Sequence, residues 1–301
     1  MLSSNYYLPI AGLAVGTSAT ALGAYNVDPN SVSVSGLSIG EFMAAQLGVA
    51  YPDTLIVLGH KTRKIYMQVG TSDTMSQLKG QLAKFADAAS TTHVTTQGAA
   101  HTFPTDFDGA GDNQCGFASS PYISNCKYDG AGAVLKWMYG ELAARNSGSL
   151  SGEVVSFDQS SSFRASGMDS TGYLYVPAAC KNGSTVCKLH VALHGCLQSH
   201  SQIQSKFVDN TDTNKIIVVF PQAIADSSTH TVWSGSMLPN PNACWDWVGW
   251  YGNNADQKGG VQMAAIVNQV NQVISGHQAG GGSNATARAK AALVKRHAIR
   301  F

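Results

Sequence analysis

One short motif in the sequence could supply a catalytic nucleophile. Gly36-Leu-Ser38-Ile-Gly40 matches G-x-S-x-G, a pattern that exposes a serine hydroxyl on a sharp turn between a strand and a helix. The flanking residues fit that position, because alternating valine and serine predict a strand over 31–35 and apolar spacing predicts a helix over 41–50. The motif therefore predicts that Ser38 is a nucleophile, with the start of the helix placing partial positive charge near a developing oxyanion.

A serine hydroxyl is a weak nucleophile unless a neighbouring base takes its proton and a third group orients that base. In hydrolases with this motif, the order along the chain is serine, acid, histidine. Asp73 comes just after a predicted strand at 64–69, and His101 comes just after another at 93–97. We therefore expect Ser38, Asp73 and His101 to form a catalytic triad. Three aspartates that follow the histidine are alternatives for the acid: Asp106, Asp108 and Asp112.

A second donor to the oxyanion is expected from a loop that follows a strand and is marked by His-Gly. The match is Leu193-His194-Gly195-Cys196-Leu197, but it comes after the nucleophile, whereas in an ordinary α/β-hydrolase it comes before. A circular permutation explains this order if the segment 172–275 supplies the strands and the helix that normally lead into 31–35. The two ends of the domain should then be neighbours in space.

The remaining patterns predict strands that alternate with helices, as in an α/β domain. Nearly continuous apolar runs at 189–193 and 216–220 predict parallel strands that are buried on both faces. The other predicted elements are a strand at 172–176, helices at 76–88, 133–145 and 261–275, and a long loop at 102–132. We expect one α/β-hydrolase-like, mostly parallel sheet flanked by helices.

The composition favours a secreted protein with little charge. Charged residues make up 12% of the chain and the formal net charge is +1, so we expect neither nucleic acid nor a membrane as a partner. Tyr6 to Val15 resembles the apolar part of an export signal without its basic start, and sequons at Asn182 and Asn284 are typical of secreted proteins. We expect a degraded leader at 1–20, a single catalytic domain at 21–277, and a Gly-rich, basic, disordered tail at 278–301.

The six cysteines include no C-x-x-C pair, which favours disulfides over a zinc site, and we expect no metal ion and no other cofactor. Short intervening loops favour Cys115–Cys126 and Cys180–Cys187, which leaves Cys196 to pair with Cys244. Six cysteines allow fifteen connectivities, however, and six reduced thiols in a cytosolic protein are the alternative.

Four stretches of the chain resemble one protein family. Asp28–Ser38, Tyr173–Pro177, Leu189–Gln198 and Cys244–Gly252 together resemble the single-domain fungal poly(3-hydroxybutyrate) depolymerases, whose α/β-hydrolase domain is circularly permuted. The resemblance runs from about Thr20 to His277. It implies a monomeric, extracellular serine esterase that cuts the solid polyester through an acyl-enzyme and releases 3-hydroxybutyrate or its short oligomers.

The resemblance also implies roles for particular residues. By matching motif, it supports the same triad and assigns the oxyanion hole to the backbone N–H groups of Ile39 and Cys196. It implies that Trp247 lines the crevice that binds the polymer, and we expect Trp245 to contact the substrate as well. Core packing is the alternative for at least one of these two side chains and Trp250.

The chain departs from that family after its first helix. Between Pro52 and Lys64 the family carries a longer segment with another strand of the sheet, crevice residues and a fourth cysteine pair, whereas about eleven residues remain here. We expect an internal deletion near 53–63, which leaves backbone groups of the neighbouring strands without partners. Two other functions stay open: a feruloyl or acetylxylan esterase, which shares the serine turn and the His-Gly loop, and a non-catalytic relic that binds polyester.

Overall fold

The computed structural model describes residues 19–54, 64–73, 90–108 and 112–278. Twelve strands and four α-helices lie in these ranges. The strands are β1 (Val27–Gly36), β2 (Ile65–Gly70), β3 (Thr91–Thr96), β4 (Phe103–Thr105), β5 (Asn113–Gln114), β6 (Ile123–Asn125), β7 (Glu153–Asp158), β8 (Thr171–Val176), β9 (Cys187–Leu193), β10 (Ile216–Phe220), β11 (Asp226–Thr231) and β12 (Met237–Asn240). The helices are α1 (Ile39–Ala50), α2 (Gly130–Tyr139), α3 (His200–Asp212) and α4 (Val261–Ile274).

The main sheet has five strands in the order β1-β9-β10-β8-β7. Its β1, β9 and β10 strands are parallel, and β8 and β7 extend it in antiparallel pairing. Every residue of β10 is fully buried, as the unbroken apolar run at 216–220 predicts for a central strand covered on both faces.

Helices cover the main sheet on both faces. Met43 and Leu47 of α1 and Ile266 of α4 belong to the hydrophobic core on one face. Leu135 of α2 and Phe207 of α3 belong to a second core on the other face. The result is a helix–sheet–helix sandwich, the α/β architecture predicted from the alternation of elements. Within the described ranges, no helix is long and apolar enough to cross a lipid bilayer.

The β2 and β3 strands form a separate parallel pair. In the part of the chain that the structure describes, no strand pairs with the outer edge of β1. The separation of β2 and β3 from the main sheet thus falls between α1 and β2 in the chain, where the sequence predicts an internal deletion. Residues 55–63 lie outside the described ranges, as does the helix predicted at 76–88.

The two ends of the described chain are neighbours, as the proposed permutation requires. The Tyr25 N–H donates to the Val273 carbonyl at 2.8 Å, and Gln272 Nε2 donates to the Leu22 carbonyl at 3.1 Å. The chain is tied to the sheet from Thr20 onward, because the Thr20 carbonyl accepts from the Asp158 N–H. Most of the predicted leader and tail, residues 1–18 and 279–301, lie outside the described ranges.

The structure differs from the prediction in the bounds of one loop and one helix, and it contains several elements that were not predicted. The segment 102–132 is not all loop, since β4, β6 and β5 form a small parallel sheet there. The helix predicted at 133–145 is α2, which begins earlier because the Asp129 carboxylate accepts from the Gly132 N–H. It ends at Gly140, whose φ of 84° breaks the helix. The strand β7, the helix α3 and the β11–β12 hairpin have no counterpart among the predicted elements.

A network of buried, hydrogen-bonded polar side chains surrounds His190 in strand β9 of the main sheet. Tyr139 OH donates to the Leu189 carbonyl at 2.6 Å and also contacts Ser33 Oγ. Because the Tyr139 hydroxyl proton is used in that bond, Ser33 Oγ donates to Tyr139 and accepts from the N–H at His190 Nδ1, at 2.7 Å. The other ring nitrogen of His190, Nε2, carries no proton and accepts from Ser35 Oγ at 2.8 Å. The network satisfies a neutral imidazole at both nitrogens. Burial accordingly lowers the pKa of His190 to about 3 and that of His194 to about 4.

These two histidines should make the fold sensitive to acid. In the unfolded chain histidine takes up a proton near pH 6.5, so below that pH the unfolded state binds more protons and stability falls by about 1.4 kcal/mol per pH unit for each histidine. His190→Asn should flatten the dependence of unfolding free energy on pH by about that amount between pH 6 and 4.5. Urea denaturation at several pH values measures the slope. An unchanged slope in a folded variant would contradict the buried neutral state.

Candidate active site

Ser38 lies on the turn between β1 and α1, in a backbone conformation that side-chain-bearing residues rarely adopt (φ 55°, ψ −120°). The turn is crowded on both sides. A Cβ on Gly36 would collide with the backbone of Gly40, and a Cβ on Gly40 would collide with the carbonyls of Leu193 and His194. Both glycines of the motif are therefore required by close backbone approach, and they hold Ser38 against the end of β9.

Asp73 and His101 meet at the end of the second sheet. Because β2 and β3 are parallel, their carboxyl ends lie side by side, and each residue follows one of these strands. Asp73 Oδ2 lies 3.1 Å from His101 Nδ1, with the two side chains 12% and 26% exposed. The Ser72 N–H donates to the Ala99 carbonyl at 3.0 Å, which ties the two loops together.

The alternative acids have other partners. Asp106 pairs with Arg145, Asp112 pairs with Lys206, and Asp108 accepts from Asn125. In the described ranges, none of them forms a hydrogen bond with the histidine. The geometry thus favours Asp73 over the three later aspartates as the orienting acid.

Ser38, Asp73 and His101 line one cavity of about 150 Å³. Since Nδ1 of His101 faces Asp73, Nε2 is the ring nitrogen that is left to act as a base. These three side chains come from two sheets, and the cavity is where the two sheets meet.

The His-Gly loop after β9 lies beside the serine. A Cβ on Gly195 would lie 3.5 Å from that of Ser38. The Gly195 N–H is occupied, since it donates to Gln198 Oε1 at 2.8 Å, and the Leu197 N–H donates to the Asn242 carbonyl. The N–H groups of Ile39 and Cys196 donate to no acceptor in the described residues. Both amides are thus available to bind an oxyanion, and their role in an oxyanion hole stays a prediction.

All six cysteines are paired, in the combination that short loops favour. The disulfides join Cys115 to Cys126, Cys180 to Cys187 and Cys196 to Cys244. The third one ties the His-Gly loop to the segment that carries three tryptophans, at a Cα–Cα distance of 4.5 Å.

The tryptophans of that segment have different positions. Trp247 is 44% exposed and its ring lies 5.8 Å from that of Phe42, which is in the first turn of α1, four residues after Ser38. Trp245 is fully buried, and its Nε1 donates to the His194 carbonyl at 3.0 Å. The expectation that Trp245 contacts the substrate is therefore wrong, because this side chain packs in the core beneath the loop.

Asp246 organises the loop that presents Trp247, a role that sequence analysis missed. Its carboxylate accepts from four successive backbone N–H groups, those of Val248, Gly249, Trp250 and Tyr251, at 2.7 to 3.2 Å. A short acidic side chain ahead of a Gly-containing turn is the available sequence signal. The exposed tryptophan is thus held by a rigid turn.

Glu41 is a second residue that sequence analysis missed. It lies three positions after Ser38, in the first turn of α1, and lines the same cavity as the triad. Burial, and then the negative charge of Asp73, raise the pKa of Glu41 to about 7. The available sequence signal was the position of Glu41 three residues after Ser38, because residues three apart at a helix are neighbours in space.

The fold and this site together place the chain among the serine hydrolases of the α/β type. No protein-family model matches the chain. It is 54% identical to a polyhydroxybutyrate depolymerase of Talaromyces funiculosus over 326 residues, covering 88% of this chain and 96% of that protein. It is 32% identical to a poly(3-hydroxybutyrate) depolymerase of Delftia acidovorans, covering 89% of this chain and 65% of that protein.

Two solved structures match equally well. The crystal structure of PHB depolymerase from Penicillium funiculosum has a TM-score of 0.81 and 52% identity, covering 86% of this chain and 100% of that one. A serine-to-alanine variant of a PHB depolymerase complexed with an R3HB trimer gives the same TM-score, identity and coverage. The chain belongs to the polyhydroxybutyrate depolymerase family. Because 326 aligned residues exceed the 301 of this chain, the Talaromyces protein has residues that this chain lacks, as the predicted deletion requires.

The raised pKa of Glu41 predicts a stability effect with a defined sign. Between its ordinary value of 4.5 and about 7 the folded state binds more protons than the unfolded state, so stability is lost as the pH rises through this range. Glu41→Gln removes that ionisation and should raise the unfolding free energy at pH 8 while leaving it nearly unchanged at pH 4. Urea denaturation at both pH values tests this, with the exposed Glu141→Gln as control. Equal effects of Glu41→Gln at both pH values would contradict it.

Proposed function

We propose that this chain is an esterase that hydrolyses the ester bonds of poly(3-hydroxybutyrate) through an acyl-enzyme on Ser38. The observation that carries the proposal is the 3.1 Å contact of Asp73 with His101 at the cavity that Ser38 also lines. Membership in the depolymerase family supports the choice of polymer, and the relative with a bound R3HB trimer supports oligomers as ligands.

The chemistry follows from the positions of these groups. His101 Nε2 takes the proton of the Ser38 hydroxyl as Oγ attacks the ester carbonyl carbon. The carbonyl oxygen becomes negatively charged and accepts from the N–H groups of Ile39 and Cys196, which stabilises the tetrahedral intermediate. Asp73 holds His101 in the tautomer that this transfer needs and stabilises the imidazolium.

Collapse of the intermediate breaks the bond to the alcohol oxygen, and this oxygen takes the proton from His101. The acyl group remains on Ser38 as an ester. A water molecule then gives one proton to His101 and attacks the acyl carbon, which releases a carboxylic acid and restores the serine hydroxyl. These steps use side chains and backbone amides of this chain.

The exposed aromatic surface next to the site suits an apolar polymer. Trp247 and Phe42 present adjacent rings, and the turn around Asp246 fixes the tryptophan in place. A rigid aromatic pair can contact a polyester chain while losing little side-chain entropy. We assign substrate contact to Trp247.

Three disulfides and no free cysteine favour an oxidising compartment, so we assign the protein to the extracellular space. A polymer too large to enter a cell also requires an enzyme that works outside it.

Replacing the nucleophile tests the chemistry. Ser38→Ala should lower turnover by ~10⁶, because members of a triad act as a unit. Clearing of a poly(3-hydroxybutyrate) suspension and covalent labelling by a serine-directed fluorophosphonate are the measurements, with the exposed Ser161→Ala as matched control. Activity of Ser38→Ala within about tenfold of the parent would contradict the assignment. An unlabelled parent that binds the polymer would instead identify a non-catalytic relic.

Replacing Trp247 separates polymer binding from chemistry. Trp247→Ala should reduce clearing of the polymer by about tenfold, because the aromatic contact with the bound polymer is lost. Turnover of a small soluble ester should stay within about twofold of the parent, because such an ester does not need that contact. Val186→Ala is the control, because this exposed residue lies at the end of β9 opposite the site. Equal losses on both substrates would show that Trp247 acts on the catalytic centre instead.

A further inference from the structure

The loop after β9 carries a buried glutamine whose side chain joins two distant segments. Gln198 is 6% exposed. Its Oε1 accepts from the Gly195 N–H at 2.8 Å, and its Nε2 donates to the Pro121 carbonyl at 2.7 Å. The two partners fix the orientation of the amide group, because an N–H needs the oxygen and a carbonyl needs the nitrogen. Gln198 thus connects the His-Gly loop to a segment 77 residues earlier in the chain.

One end of this connection lies beside the nucleophile. Gly195 directly precedes Cys196, whose N–H is a proposed oxyanion donor. A Cβ on Gly195 would lie 3.3 Å from the Leu37 carbonyl oxygen and 3.5 Å from the Cβ of Ser38. Because a glycine backbone has more conformational freedom than that of any other residue, the hydrogen bond to Gln198 restricts rotation at Gly195. The bond therefore helps to keep the donor loop in place.

The other end of the connection lies beside the base. Tyr122, the residue after Pro121, accepts at its carbonyl from the Phe103 N–H at 2.8 Å. On the other side of His101, the preceding residue donates its N–H to the Cys115 carbonyl at 2.9 Å. The segment 113–126 thus holds the chain both before and after the histidine, and Gln198 is bonded to this same segment.

The connection matters because the two halves of the site belong to different sheets. Within the described ranges, no backbone ladder joins the β2–β3 pair to β1. Among the same residues, the bond from Gln198 to Pro121 is the one hydrogen bond between the loop 194–198 and the segment 113–126. A misplacement of about 1 Å between reacting groups can lower a rate by ~10². A link between the two halves at this edge therefore bears directly on turnover.

We propose that Gln198 is a positioning residue, which holds the loop of the oxyanion donor in place relative to His101. The proposal rests on the proposed esterase function, since it concerns the geometry of that reaction. Gln198 does not itself line the cavity in the described part of the chain, so it acts through Gly195 and Pro121. Its loss should therefore lower kcat without weakening substrate binding.

Gln198→Met removes both hydrogen bonds and keeps a side chain of similar length. For p-nitrophenyl acetate, kcat should fall by ~10² while KM stays within about twofold. Gln269→Met is the matched control, because Gln269 is equally buried on α4 and its Nε2 bonds only to Gln159 Oε1 among the described residues. Circular-dichroism melts show whether each variant is folded. A kcat for folded Gln198→Met no lower than that of the control would overturn the proposal.

Gln198→Glu separates the two bonds and tests the proposal within one polypeptide. Its carboxylate can accept from the Gly195 N–H, but the group can donate to the Pro121 carbonyl only when it is protonated. Burial raises the pKa of a carboxyl group, so the protonated form gains between about pH 8 and about pH 5. The kcat of Gln198→Glu, divided by that of the parent at each pH, should rise about tenfold over this range as the second bond returns.

The division by the parent removes the effect of pH on the other groups of the site. A ratio that does not change with pH would overturn the proposal, because the bond to Pro121 would then have no influence on turnover. If instead the folded parent hydrolyses no ester and a fluorophosphonate does not label Ser38, the proposed function itself is wrong.

Discussion

The parallel pairing of β1 with β9 is the interaction on which the site depends. Gly36 pairs with Leu193, and the Leu37 N–H donates to the Leu193 carbonyl at 3.3 Å, so the pairing extends to the residue before Ser38. Two adjacent parallel strands leave the sheet at the same edge, and here they deliver the nucleophile and the His-Gly loop together. Hydrogen bonds of the sheet thus set the distance between these two groups, and the glycines of the turn allow the close approach.

The other half of the triad belongs to a different sheet. Asp73 and His101 are fixed to each other by the β2–β3 pair, but in the described residues this pair has no backbone ladder to β1. The helix α2 contacts both β1 and β2 and so connects the two halves. Each strand pair therefore positions two neighbouring groups: β1 and β9 bring Ser38 beside the His-Gly loop, and β2 and β3 bring Asp73 beside His101.

The sequence predicts those features that show as a regular pattern of apolar residues or as a fixed order of residue types along the chain. Central strands appear as apolar runs, and the order serine, acid, histidine predicts Asp73 and His101 as partners, which the structure places 3.1 Å apart. The helix α3 was missed because its sequence is mostly polar; among its described side chains, Phe207 and Val208 are the apolar ones in the core. The burial of Trp245 could not be read from its neighbours, since its environment depends on the carbonyl of His194, 51 residues away. The raised pKa of Glu41 depends first on its burial by the fold and then on the carboxylate of Asp73, which is distant in sequence.

The order of the strands has a consequence for synthesis on the ribosome. Ser33 and His190, which meet in the buried network, are 157 residues apart, so the nucleophile strand emerges long before the strand that must receive it. Pairings this distant in sequence form slowly and leave a strand edge open to other chains in the meantime. A nascent chain carries Ser38 and Ile39 but lacks the Cys196 N–H, the second of the two proposed oxyanion donors. Catalytic competence therefore arises only after translation has passed the His-Gly loop, about two thirds of the way along the chain.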